Sequence, residues 1–75
     1  MHPTIFVADH TLFRASPAQS GQFEIQQETP FGLRRVARVN PHELTDTSIP
    51  EPIRSHLRDD FDVRMFKRWI AGLVS

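Results

Sequence analysis

The chain has 75 residues and no cysteine, and its nine basic residues balance nine acidic ones. This length allows one domain, the lack of cysteine excludes disulfides and thiolate metal sites, and no apolar run is long enough to span a membrane. We therefore expect a single cytoplasmic domain over residues 1–75, with a β-rich half at 1–40 and a helical half at 48–75. No signal peptide is expected, because the N-terminus lacks a basic leader.

The first half of the chain predicts strands. Residues 4–8 are short, apolar and β-branched, which favours a buried strand. Residues 11–14 either continue that strand past a bulge or form its neighbour. Residues 22–26 alternate apolar and polar side chains, with Phe23 and Ile25 on one face, so this segment reads as a strand with one face exposed to water.

A hairpin is predicted after residue 26. Pro30 and Gly32 suit a tight turn, and residues 33–39 then form the returning strand. Simple alternation places Leu33, Ala37 and Val39 on one face of this strand, and Arg34 and Arg38 on the other. Asn40 and Pro41 end the strand, since proline cannot donate to a sheet.

The second half predicts helices. Ser48 and Glu51 have the spacing of a capping box, which favours a first helix over residues 49–58 with Ile49, Ile53 and Leu57 buried. Three carboxylates then precede a second periodic segment that ends near residue 73, and acidic side chains favour a helix start. One bent helix remains an alternative to two. The sequence thus predicts an α+β fold in which an antiparallel sheet of about three strands packs on one or two C-terminal helices.

Catalytic and metal-binding motifs are lacking in the sequence. No serine lies in a nucleophile elbow, the four histidines are scattered without zinc-ligand spacing, and three isolated glycines cannot form a phosphate-binding loop. Acidic residues at a helix start are usually caps. We therefore expect no catalytic residues, no metal, no cofactor and no enzyme activity.

Protein binding is the leading functional hypothesis. Phe61, Met65 and Trp69 recur at helical spacing, and an exposed apolar patch bordered by Arg64 and Arg68 would be typical of a partner surface. The alternative interpretation is that Trp69 closes the core against the sheet. Small domains of this size and composition are common among regulators, antitoxin-like components and phage or mobile-element proteins that inhibit a host protein machine.

A nucleic-acid-binding regulator is the second hypothesis. It would use an arginine-rich stripe in which strand and helix contribute together, through Arg34, Arg38, Arg64, Lys67 and Arg68. The zero net charge and the neighbouring carboxylates favour a solvated face with ion pairs instead. The sheet edges carry no evident guard apart from Pro3, Pro30 and Pro41, which makes a homodimer a candidate state.

Overall fold

The computed structural model describes residues 5–74, which form a four-stranded antiparallel sheet covered on one face by helices. The strand order is β1-β2-β3-β4. The elements are β1 (Ile5–Ala8), β2 (Thr11–Pro17), a 3-10 turn (Gln19–Gly21), β3 (Phe23–Thr29), β4 (Gly32–Val39), α1 (Glu51–Arg54) and α2 (Asp60–Gly72). The α+β prediction is confirmed, with four strands where about three were expected. The predicted strand position Thr4 and the last residue, Ser75, lie outside the described residues.

The first two strands are separate because the chain reverses at Asp9 and His10. Both residues have positive φ values, 52° and 57°. Two consecutive left-handed residues form the turn that matches the twist of a tight hairpin. Ala8 therefore faces Thr11, and the pairing continues to Ile5. Of the two alternatives in the sequence, β2 is the neighbour of β1 and not its continuation.

The core lies between one face of the sheet and the helices. Phe13 and Ile25 come from the central strands and are fully buried. Ile53, Phe66 and Ile70 meet them from the helical half and are also fully buried. The other face of the sheet is open, and its polar side chains include the Arg14–Glu28 ion pair at 3.7 Å.

A bulge in the β3–β4 pair corrects the predicted faces of β4. Ile25 pairs with Ala37, but the next residue of β3, Gln26, pairs with Arg35, so Val36 is an extra residue. An extra residue reverses the alternation beyond it. Arg38 lies on the open face, whereas Arg34 lies on the side that carries the helices. The prediction that these two arginines share a face is therefore wrong.

The first helix is much shorter than predicted. The Ser48 hydroxyl accepts a hydrogen bond from the Thr45 amide at 2.8 Å and donates one to the Thr45 carbonyl at 3.2 Å. It therefore closes a turn and does not cap a helix. Pro50 also disfavours helical geometry at Ile49, the residue before it. Only four residues, Glu51–Arg54, are helical.

The burial predicted for that first helix is nevertheless confirmed. Ile49, Ile53 and Leu57 are all buried, with exposures between 0% and 8%. They reach the core from a turn, a short helix and the segment that follows it. Apolar spacing therefore identified the core side chains without identifying the secondary structure that carries them.

The second helix is a separate element, as its acidic start predicts. The carboxylate of Asp59 accepts a hydrogen bond from the amide of Asp62 at 2.9 Å, which caps α2. Asp62 in turn accepts from the amide of Arg58 at 2.9 Å. The first contact satisfies an amide that the helix itself leaves unpaired, and the second ties the residue before the cap to the first turn, so together they fix where α2 begins.

Candidate binding surfaces

Trp69 lies in the core, which corrects the expectation that it is part of an exposed patch. Its exposure is 8%. Its ring stacks on Phe6 of β1 with centroids 5.4 Å apart, and the ring of Phe66 lies 5.9 Å away. The alternative interpretation, in which Trp69 closes the core against the sheet, describes its position.

The outer face of α2 carries the other four residues of the predicted partner surface. Phe61 is 61% exposed and Met65 is half-buried, one helical turn further on. Arg64 and Arg68 are exposed and have no ion pair with any described residue. We call Phe61, Arg64, Met65 and Arg68 the α2 patch.

Helix geometry explains why this patch stops before Trp69. Residues four apart are offset by about 40° around an α-helix, so positions eight apart differ by about 80°. Along Phe61, Met65 and Trp69 this drift turns the stripe from solvent towards β1. The exposure falls in step, from 61% at Phe61 to half-buried at Met65 and 8% at Trp69.

Lys67 is already engaged within the fold. Its ammonium contacts the Asp46 carboxylate at 2.5 Å, and Arg54 donates to the Asp46 backbone carbonyl at 2.9 Å. The hydrogen bond and the positive charge from Lys67 lower the pKa of Asp46, with a smaller contribution from Arg54. Lys67 therefore ties α2 to the connector before α1, and using it for a nucleic acid would break that contact.

The other predicted nucleic-acid contacts do not join the α2 arginines in one stripe. α2 packs against β1, whereas α1 packs against β4. Because β1 and β4 are the opposite edges of the sheet, Arg34 and Arg38 lie towards the far edge from Arg64 and Arg68. The bulge further separates Arg34 from Arg38 by placing them on different faces.

The tip of the β3–β4 hairpin is an exposed apolar feature that the sequence reasoning missed. Phe31 is 99% exposed, and Leu33 on the same hairpin is 53% exposed. The Thr29 hydroxyl accepts from the Phe31 amide at 3.1 Å and donates to the Gly32 carbonyl at 2.8 Å, so the turn is held in place. The signal in the sequence was an aromatic residue between Pro30 and Gly32, where a turn exposes its side chains.

A His–Asp–Thr group lies beside the β1–β2 turn. The Nδ1 atom of His56 is 3.5 Å from an Asp9 carboxylate oxygen and 3.4 Å from the Thr11 hydroxyl. A catalytic triad needs the nucleophile and the acid at opposite ring nitrogens, but both groups here approach the same nitrogen. The cluster therefore ties the turn to the segment that follows α1, and residues this far apart in sequence gave no signal of it.

An open depression of about 660 Å³ adjoins this group, between the β1–β2 turn and the start of α2. Asp59 and Asp62, which line it, already accept the capping hydrogen bonds of α2. Across residues 5–74 no three His, Asp or Glu side chains are arranged to hold a metal ion. The same residues contain no helix long and apolar enough to cross a membrane.

Comparison with known proteins finds no matching family model, and neither a curated protein nor a solved structure matches the chain.

Proposed function

We propose that this chain is a non-enzymatic module that binds another protein through the α2 patch. The observation that carries the proposal is the exposure of Phe61 beside Met65, on a helix face bordered by two arginines that have no ion pair with a described residue. Aromatic residues and arginine are the side chains most enriched at the energetic centres of protein interfaces. The patch also lies on a helix, which is capped at Asp59 and packed on the core, so its geometry is preorganised.

The gain available from Phe61 is large enough to matter for binding. Burying the exposed 61% of a side chain of about 200 Å² removes about 120 Å² of apolar surface from water, worth about 3 kcal/mol. Met65 adds to this apolar centre, and the two arginines can pair with acidic groups at the rim of a partner's surface. We therefore expect a partner with an apolar depression bordered by carboxylates.

We propose a regulator or inhibitor that acts on a larger host protein machine in the cytoplasm and is encoded by a phage or mobile element. Its support is the association of such roles with small domains of this composition. A homodimer is also part of the proposal, since a 75-residue chain without disulfides has little core to spare.

The experiment is affinity capture from a host-like lysate with the tagged chain, with and without nuclease. Phe61→Ala is the test variant and Phe31→Ala is the matched control, because both remove an exposed phenylalanine but at different surfaces. We expect a stoichiometric protein that survives nuclease, whose affinity falls at least tenfold with Phe61→Ala and is unchanged with Phe31→Ala. The reverse pattern would move the interface to the hairpin tip.

The same experiment distinguishes nucleic-acid binding from protein binding. If capture disappears with nuclease, the unpaired Arg64 and Arg68 would be contacts to phosphate and the protein-binding proposal would be wrong. The affinity would then fall steeply with salt, with a logarithmic slope of about 0.9 for each phosphate contact on duplex DNA. For a protein partner held mainly by Phe61 and Met65, we expect a shallow salt dependence.

A further inference from the structure

The two edges of the sheet differ in how they are protected against pairing. β4 carries Arg34, Arg35 and Arg38 and is interrupted by the bulge at Val36. Charged side chains and bulges are the usual features that stop an edge strand from pairing with another chain. β1 has neither, because Ile5–Ala8 contains no charged residue and pairs regularly with β2; its protection among the described residues is its short length of four residues.

The outer side of β1 presents free backbone groups at two positions. In a hairpin closed by a two-residue turn, the residues flanking the turn form a hydrogen-bonded pair, and such pairs then alternate along the strands. Ala8 and Phe6 therefore direct their amide and carbonyl groups to β2. Ile5 and Val7 direct theirs outward, away from the rest of the described sheet.

The side chains at these two positions are also exposed. Ile5 is 42% exposed and Val7 is 60% exposed. They lie on the open face, since Phe6 and Ala8 between and beside them pack into the core. β1 thus combines unpaired backbone groups with β-branched side chains that favour strand pairing.

We propose that β1 pairs with β1 of a second copy, antiparallel about a two-fold axis that passes beside Phe6. Ile5 then faces Val7 of the second copy, and Val7 faces Ile5 of the second copy. Both pairs consist of residues with outward backbone groups, so they form four hydrogen bonds in all. This inference rests on the homodimer part of the proposed function and names the surface that forms it.

This register is favoured over its neighbours. Moving the axis to Ile5 or to Val7 leaves one hydrogen-bonded pair among the residues of β1. A shift by a single position would pair outward groups with inward ones and turn the helices of the two copies to opposite faces. In the proposed register the joined sheet has eight strands, and the helices of both copies cover the same face.

The size of the contact predicts a reversible dimer. β1 is about 13 Å long at 3.3 Å per residue, and α2 above it is about 20 Å long at 1.5 Å per residue. With each layer about 10 Å thick, sheet and helix together offer a face of roughly 330 Å² per copy, about two-fifths of the ~800 Å² that each partner buries in a stable interface. We therefore expect association only at high protein concentration.

The test is sedimentation velocity of the purified chain between about 5 and about 500 µM. We expect the average mass to rise from 8.7 kDa towards twice that value for the wild type. Val7→Lys should remain a monomer, because it places a charge in both hydrogen-bonded pairs of the contact. Leu33→Lys is the matched control on the other edge strand, and it should associate like the wild type.

Amide hydrogen exchange by NMR gives a second, site-specific measurement. The amides of Ile5 and Val7 should become protected as concentration rises, whereas that of Phe6 should be protected throughout. If Val7→Lys dimerises as well as the wild type, or if both amides stay unprotected in the dimer, β1 would not be the dimer surface, although the homodimer itself would stand. A mass that stays at 8.7 kDa at all concentrations would overturn both.

Discussion

Trp69→Ala is the substitution that most directly tests the arrangement of the core. Trp69 is 8% exposed and contacts the rings of Phe6 and Phe66, so truncation removes most of an aromatic side chain from between α2 and β1. Substitutions of this kind cost about 3–5 kcal/mol. A 75-residue domain has a total stability of roughly 4–11 kcal/mol, so the variant should lose a large fraction of it.

The assays are urea unfolding and thermal melting, both followed by far-UV circular dichroism because the substitution removes the only tryptophan. At about 4–8 °C per kcal/mol for a domain of this size, the melting temperature should fall by at least about 12 °C. Phe61→Ala on the same helix is the matched control, and its unfolding free energy should stay within about 0.5 kcal/mol of the wild type. A loss below about 1 kcal/mol for Trp69→Ala would show that its ring does not support the core.

Two further predictions concern the turn before β2 and the ion pair on α2. His10→Gly should raise the unfolding free energy by about 0.5–1 kcal/mol, because glycine relieves the left-handed strain at φ 57°. The measurement is thermal melting, and the control is His42→Gly, which lies in a turn without positive φ and should not stabilise the protein. Asp46→Asn should lower the melting temperature slightly at neutral pH. Because the fold lowers the pKa of Asp46, its ionised carboxylate stabilises the protein at pH values above the unfolded-state pKa, and this stabilisation is lost as acid protonates it. If the melting temperatures of the wild type and Asp46→Asn still differ at about pH 2, the pairing with Lys67 would be contradicted.

The sequence predicted those parts of the fold that depend on neighbouring residues. The alternation in β3 and the turn at Pro30 and Gly32 identify the β3–β4 hairpin, and the observed pairing begins at Thr29 and Gly32. The carboxylate at Asp59 marks the start of α2, where it caps the helix. In each case a local interaction determines the structure, so a short stretch of sequence contains the information.

Other features depend on contacts between distant segments and could not be predicted. The bulge at Val36 shifts the register of β4 by one residue, and no residue type in 33–39 marks its position. Ser48 has the sequence of a helix cap, but its hydroxyl bonds back to Thr45. Prediction from the sequence therefore failed where the same short segment can form more than one hydrogen-bonding pattern and tertiary packing determines which one forms.

The exposure of the α2 patch also could not be predicted from residue spacing alone, and it restricts where a partner can bind. Spacing alone joins Phe61, Met65 and Trp69 in one stripe, but the rotation of about 40° per four residues turns its last member into the core. A partner that recognises this stripe must therefore contact the first half of α2, where Phe61 is 61% exposed. Arg64 lies within that half and Arg68 in the second half, so Arg64→Ala should weaken partner binding more than Arg68→Ala in a direct titration. Equal losses would place the partner along the whole helix, and the footprint centred on Phe61 would be wrong.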